Sequence, residues 1–136
     1  SLPPESQSLL DELSAWMPVN GEAIHGTRPW AIYGEGPTEA ADGAFHEGAD
    51  YTPRDIRFTV KGDDLYAITL GEPQRQVSIA SLGRAAGHEK RRVRSVRLLG
   101  TDKPLTFRQT DAALVIDLPA TLPTRHASAF KIRFNA

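Results

Sequence analysis

Among the seventeen acidic side chains, Glu22, Glu35, Glu47, Asp50 and Asp55 are the candidates for general acid/base or nucleophilic chemistry. A retaining displacement at a glycosidic bond needs two carboxyl groups about 5–5.5 Å apart. No spacing among these five forces a facing pair, and loop carboxylates of this kind read as solvated or capping groups. The histidines His25, His46, His88 and His126 are scattered, with no H-x3-H or HExxH spacing and no cysteine anywhere, so a zinc site is not expected. Asp42-Gly-Ala and Asp63-Asp64 lack the full oxygen-ligand pattern of a calcium loop and are explained by turn chemistry. GEGP at 34–37 lies between strand-like segments and opens no helix, which removes a phosphate-cradle reading. No cofactor and no metal are expected.

Aromatic residues carry the remaining signal. Trp30, Tyr33, Phe45 and Tyr51 offer broad faces that could stack on a sugar ring or fill a seam between structural units. The densest stretch is Val19 to Pro37, VNGEAIHGTRPWAIYGEGP, in which glycines and prolines alternate with Trp30, Tyr33, Arg28 and two glutamates. Such a stretch reads as an ordered connector clamping two units together, and the seam is the reading it favours for its aromatics. The tract His88-Glu-Lys-Arg-Arg invites an anion-binding reading, but a charged loop is ordinarily a solvated surface, and no aromatics interleave it.

The elements that must position these residues follow from periodicity. Leu9, Leu10, Leu13, Trp16 and Met17 form one stripe of a helix that starts after Pro3-Pro4 and is bounded by Pro18. A helix this short needs a packing partner. The stretch 40–53 reads as a long loop anchored by Phe45 and Tyr51. From Asp55 the period becomes two, with Ile56, Phe58 and Val60 on one face and Arg57, Thr59 and Lys61 on the other. Lys61-Gly62-Asp63-Asp64 makes the turn and Leu65 to Leu70 the returning arm. Further strands are expected at Val77/Ile79, at Val93/Val96/Leu98, at Leu105/Phe107 paired with Leu114 to Leu118, and at Phe130/Ile132/Phe134. The sum is mainly β: an antiparallel two-sheet β-sandwich of about eight strands with one N-terminal amphipathic helix.

The chain has 136 residues, 40% of them hydrophobic and 24% charged, enough for one domain with a real core. Sixteen basic against seventeen acidic residues give a net charge of −1. No global field therefore favours nucleic acid or an anionic membrane, and no apolar run reaches the roughly 20 residues of a membrane span. The sequence opens on Ser1 and its single methionine is Met17, which points to a processed or partial gene product.

NGEAIHGTRPW followed by YGEGP resembles the end of the catalytic domain in family 29 glycoside hydrolases, the α-L-fucosidases. The usual wording there is NGEAIYGTRPW, so His25 stands where Tyr is usual. LLDELSAWMPVNGEAI resembles the last barrel helix and its exit, DIRFTVKGDDLYAITLG the first hairpin of the C-terminal β-sandwich, and RRVRSVRLLG and FKIRFNA later strands of the same domain. The resemblance implies residues 1–18 as the last helix of a catalytic barrel, 19–37 as an interdomain clamp and 38–136 as the sandwich. It implies a parent that hydrolyses terminal α-linked fucose with retention, with its nucleophile and acid/base carboxylates in the barrel, so that no catalytic residue falls in this chain and this piece alone is expected to be inactive. The barrel would be its partner and a fucosylated glycan the parent's substrate. Trp30, Tyr33 and Glu35 are the candidates for substrate contact. A parent of this kind is compatible with secretion or the periplasm. The alternative, from another class, is a stand-alone carbohydrate-binding module. A third option is self-association through the helix stripe.

Overall fold

A computed structural model describes residues 4–38 and 51–136. Helix α1 (Pro4–Asn20) leads into a 3-10 turn at Gly21–Ala23. Among the described residues eight strands follow: β1 (Gly34–Glu35), β2 (Ile56–Lys61), β3 (Asp64–Thr69), β4 (Gln76–Ile79), β5 (Val93–Leu98), β6 (Phe107–Gln109), β7 (Leu114–Asp117) and β8 (Ser128–Phe134). They form a five-stranded sheet in the order β1-β2-β3-β8-β5 and a three-stranded sheet in the order β4-β7-β6, with every pairing antiparallel. The expected two-sheet sandwich is the fold.

The hairpin β2–β3 forms as its alternation requires. Lys61 pairs with Asp64, and Gly62 takes φ +60° at the first of the two turn positions. That position favours glycine in the tight turns whose twist matches paired strands. Ile56, Phe58 and Val60 face inward while Arg57, Thr59 and Lys61 stay half-exposed. In β5 the three-residue step from Val93 to Val96 breaks the period of two, and a register shift between Val93 and Ser95 absorbs it. Side chains of both sheets, among them Phe58, Leu65, Ile79, Val96, Leu114, Ile116, Phe130 and Ile132, close into one buried core.

Strand β3 is buried along almost its whole length and on both faces. Leu65 and Ala67 point into the main core, while Tyr66 and Ile68 belong to a second cluster with Ala23, Leu99 and Ala129 on the outer face. Trp16, Leu70 and Ala127 pack against that cluster. Trp16 also donates its indole N–H to the carbonyl of Ala127 at 2.9 Å. The helix stripe thus divides: Trp16 seats on the sandwich, whereas Leu13 is 51% exposed.

Two expectations are corrected. The helix does not stop at Pro18 but runs on to Asn20. Pro18 lacks the N–H that would reach the carbonyl of Ser14, and both residues lie on the exposed side, where water can take the lost bond. Fully buried Asn20 then fixes the helix end, its Nδ2 donating to Thr124 Oγ1 at 3.2 Å. Second, the glycine-rich connector contributes a short strand: Gly34 and Glu35 pair with Arg57 and Ile56 at the edge of the sheet. The expected loop 40–53 with its anchor Phe45 falls mostly outside the described residues.

Asp55 ties together the two chain ends that flank the undescribed stretch. Its carboxylate is fully buried and accepts from the amides of Thr38 and Thr52, at 2.8 and 2.7 Å, and from both their hydroxyls, at 2.7 and 3.1 Å. Burial pushes the carboxyl up, but the four hydrogen bonds outweigh it and hold the group below the usual aspartate range. A depressed folded value stabilises the fold above the unfolded value of about 4, and that contribution is lost as pH falls through the folded value. Asp55→Asn, which sets an amide N–H2 against these donors, is expected to cost about 2–3 kcal/mol in denaturant unfolding at neutral pH. It should also flatten the loss of stability on acidification below about pH 4.

Candidate functional site

The candidate residues sit on segment 21–38, which crosses from the outer face of the five-stranded sheet to its edge. At its start the Ala23 carbonyl accepts from Thr59 Oγ1 at 2.6 Å. Glu22 accepts from the buried Tyr66 hydroxyl at 2.7 Å and from Lys131 Nζ at 3.2 Å. The Tyr66 hydrogen bond, reinforced by Lys131 against the opposing effect of burial, holds Glu22 below the usual carboxylate range. Burial first, and then Glu22, push the Tyr66 phenol well above its ordinary value, so it acts as a neutral donor. His25 stands exposed with its ring over Gly21, where an added Cβ would lie 3.2 Å from the imidazole.

Farther along, Arg28 and Val60 exchange both backbone hydrogen bonds at 2.8 Å, and Phe58 donates its amide to the Tyr33 carbonyl at 2.8 Å. Trp30 is half-buried against the main core, its ring edge-on to Phe58 at 4.9 Å and to His88 at 5.6 Å between centroids. Tyr33, three residues on, is 59% exposed, with the Arg57 guanidinium 5.3 Å from its ring centroid and 5.9 Å from that of Tyr51. Glu35 accepts the amides of Ala80 and Ser81 at 3.0 and 2.8 Å, capping the 3-10 turn that follows β4. The three candidates therefore do not converge: Trp30 points inward, Tyr33 outward, and Glu35 across to the three-stranded sheet.

The carboxylates described here hold structure. Glu22, Glu35 and Asp55 engage the outer face, the turn after β4 and the ends at Thr38 and Thr52, while Glu47 and Asp50 lie outside the described residues. Among the described residues no group of three or more His, Cys, Asp or Glu could hold a metal ion. Nor is any described helix long and apolar enough to cross a membrane. His46 and Asp42 also lie outside the described residues. The charged tract at 88–92 is more ordered than its composition suggests. Arg91 folds back on Glu89, its amide, Nε and Nη2 donating at 2.9, 3.0 and 3.1 Å. The Glu-x-Arg spacing was the sequence signal for that pair. Arg57, set between two tyrosines, had none.

The two aromatic candidates separate cleanly by mutation. Trp30→Ala opens the end of the core and is expected to cost about 2–3 kcal/mol of stability. Tyr33→Ala should stay within about 0.5 kcal/mol, the usual range for an exposed site. Thermal or urea unfolding of the two variants checks both values.

Comparison with known proteins now bears on this architecture. The sequence profile of the α-L-fucosidase C-terminal domain matches residues 49–133. Comparison with the curated protein sequences gave no significant match. Among solved structures, an α-fucosidase of Thermotoga maritima in complex with a mechanism-based inhibitor is 24% identical, with a TM-score of 0.67 over 97% of this chain and 27% of its own. The α-L-fucosidase isoenzyme 1 of Paenibacillus thiaminolyticus is 22% identical, with a TM-score of 0.62 over 100% of this chain and 28% of its own. These likenesses establish the fold, α1 included, and the chain spans under a third of the length of either enzyme. The profile covers most of the sandwich, from the approach to β2 into β8, and on that ground the chain belongs to the α-L-fucosidase C-terminal domain family.

Proposed function

We propose that this chain is the accessory β-sandwich of a retaining α-L-fucosidase, held to a catalytic barrel through α1 and the segment 19–37. In this reading residues 1–18 are the last helix of the barrel, 19–37 the clamp and 38–136 the sandwich. The observation that carries it is the division of α1. Trp16 seats on the domain, yet Leu13 on the same stripe is 51% exposed, and grooves that combine Leu13, Leu70 and Leu122 with Glu12, Arg125 and His126 adjoin Trp16. An apolar helix face of this kind calls for a covering layer, and a barrel helix ring supplies one. The parent's substrates would be glycans ending in α-linked fucose, and its nucleophile and acid/base group would come from the barrel. That division of labour agrees with the structural engagement of Glu22, Glu35 and Asp55. The same helix face would let copies associate when no barrel covers it.

The purified chain alone should leave an aryl α-L-fucoside unhydrolysed, and joined to a family barrel it should form part of an active enzyme. Turnover that rises in proportion to the isolated chain would overturn the reading. Leu13→Asp should leave the melting temperature of the isolated chain nearly unchanged, because Leu13 is exposed there, and lower that of the joined protein. In light scattering the same substitution should reduce any self-association of the isolated chain.

A further inference from the structure

The outer face of the five-stranded sheet is covered over part of its extent, where Trp16 and Ala23 pack with Tyr66, Ile68, Leu99 and Ala129. Two residues farther along β5 and β8, a step of about 7 Å, Arg97 stands opposite Lys131. Val96, Leu98 and Ile132 point into the main core, so Arg97, Lys131 and Arg133 alternate onto the outer face. Arg133 opposes Ser95, and the register shift between Val93 and Ser95 leaves Arg94 as an extra, exposed residue beside it.

Charge on this strip is not balanced. Lys131 reaches Glu22 at 3.2 Å and Asp64 at 3.7 Å, and Arg133 reaches Asp64 at 3.2 Å. Arg97 donates to a neutral group, the Asp102 carbonyl, at 2.9 Å. Among the described residues the Arg94 guanidinium has no hydrogen-bond or ion-pair partner. Four cations thus share two carboxylates, in a chain whose net charge is −1. Like charges set directly opposite on paired strands destabilise a sheet, and among the described residues no carboxylate pairs with Arg97 to offset its place opposite Lys131.

We propose that Arg94 and Arg97 form a polar rim of the seam with the catalytic barrel, pairing with carboxylates on the layer that covers α1. The inference rests on the accessory-domain reading and adds the chemistry of the partner surface: an apolar contact at Leu13, continued by an acidic strip facing β5. Continuity selects this occupant. The Arg97 row adjoins, on one sheet face, the row on which Trp16 seats, so a layer stacked on the free side of α1 stands beside the arginines. There each guanidinium can take a carboxylate bidentately, with less screening than at an open surface.

The test compares melting of the isolated chain and of the chain joined to a family barrel. Arg94→Gln combined with Arg97→Gln should not lower the melting temperature of the isolated chain, because it relieves repulsion there. In the joined protein it should lower that temperature by about 2–4 °C. Salt at about 0.5 M should bring the joined proteins with and without the substitutions together. Arg108→Gln, exposed on β6 of the other sheet, is the control and should change neither protein. A response of the isolated chain to the paired substitutions as large as that of the joined protein overturns the proposal. So does an unaffected joined protein when the isolated chain loses binding to dextran sulfate or loses self-association, since the face would then serve a polyanion or a second copy. Leu13→Asp separates the two levels. If it destabilises the joined protein and the arginine substitutions do not, this inference alone fails; if neither does, the accessory-domain reading fails with it.

Discussion

The structure depends on keeping water off both faces of β3. Its inner face meets the three-stranded sheet, as in any sandwich, but Tyr66 and Ile68 on the outer face also need cover. The Gly21–Ala23 turn and the end of α1 provide it, with Leu99 and Ala129 completing the cluster. Burying Tyr66 confines a hydroxyl in an apolar setting, and Glu22, delivered by the same turn, satisfies it at 2.7 Å. The helix and its exit are for this reason part of the sandwich's own packing. Leu13, one turn earlier on the same stripe, stays exposed instead, and that asymmetry supports the proposal of a helix shared with a second layer.

Segment 21–38 extends the same logic around the edge of the sheet. Arg28 and Gly34 pair with β2, whose outer edge would otherwise offer unpaired N–H and C=O groups. Glu35 then bridges to Ala80 and Ser81 near the three-stranded sheet, and Thr38 ends in the Asp55 carboxylate. One strap therefore crosses from helix to outer face, to edge, to the second layer. Trp30 is placed by this course at the end of the main core, which gives it both a packing role and a partly open face.

Much of this was legible. The alternation in β2 and β8 is a local signal, and the inward residues named by it are buried except Phe134, which is half-buried at the end of β8. The apolar run Leu65-Tyr66-Ala67-Ile68 hinted at burial on both faces, though most of what covers the second face comes from residues thirty or more positions away. Pro18 misled because a proline in the last turn forfeits a bond that an exposed carbonyl can recover from water. Strand β1 was hidden because Gly34 reads as a breaker. Its glycine is needed, since an added Cβ would lie directly against the carbonyl oxygen of Ile56. The site candidates were the least legible. Composition marks Trp30, Tyr33 and Glu35 alike, but only tertiary placement sends one into the core, one into water and one onto backbone amides of a distant turn.

The central claim, that α1 is a helix shared between this domain and a covering catalytic layer, is tested most directly by amide hydrogen exchange. The measurement compares α1 in the isolated chain and in the chain joined to a family barrel. Protection is expected in both states around Trp16 to Ala23, where the helix and turn seat on the outer cluster. The earlier turns of α1 should exchange rapidly in the isolated chain and become protected only in the barrel-joined protein. Equal exchange of those turns in the two states would contradict the account, because α1 would then belong to the sandwich alone.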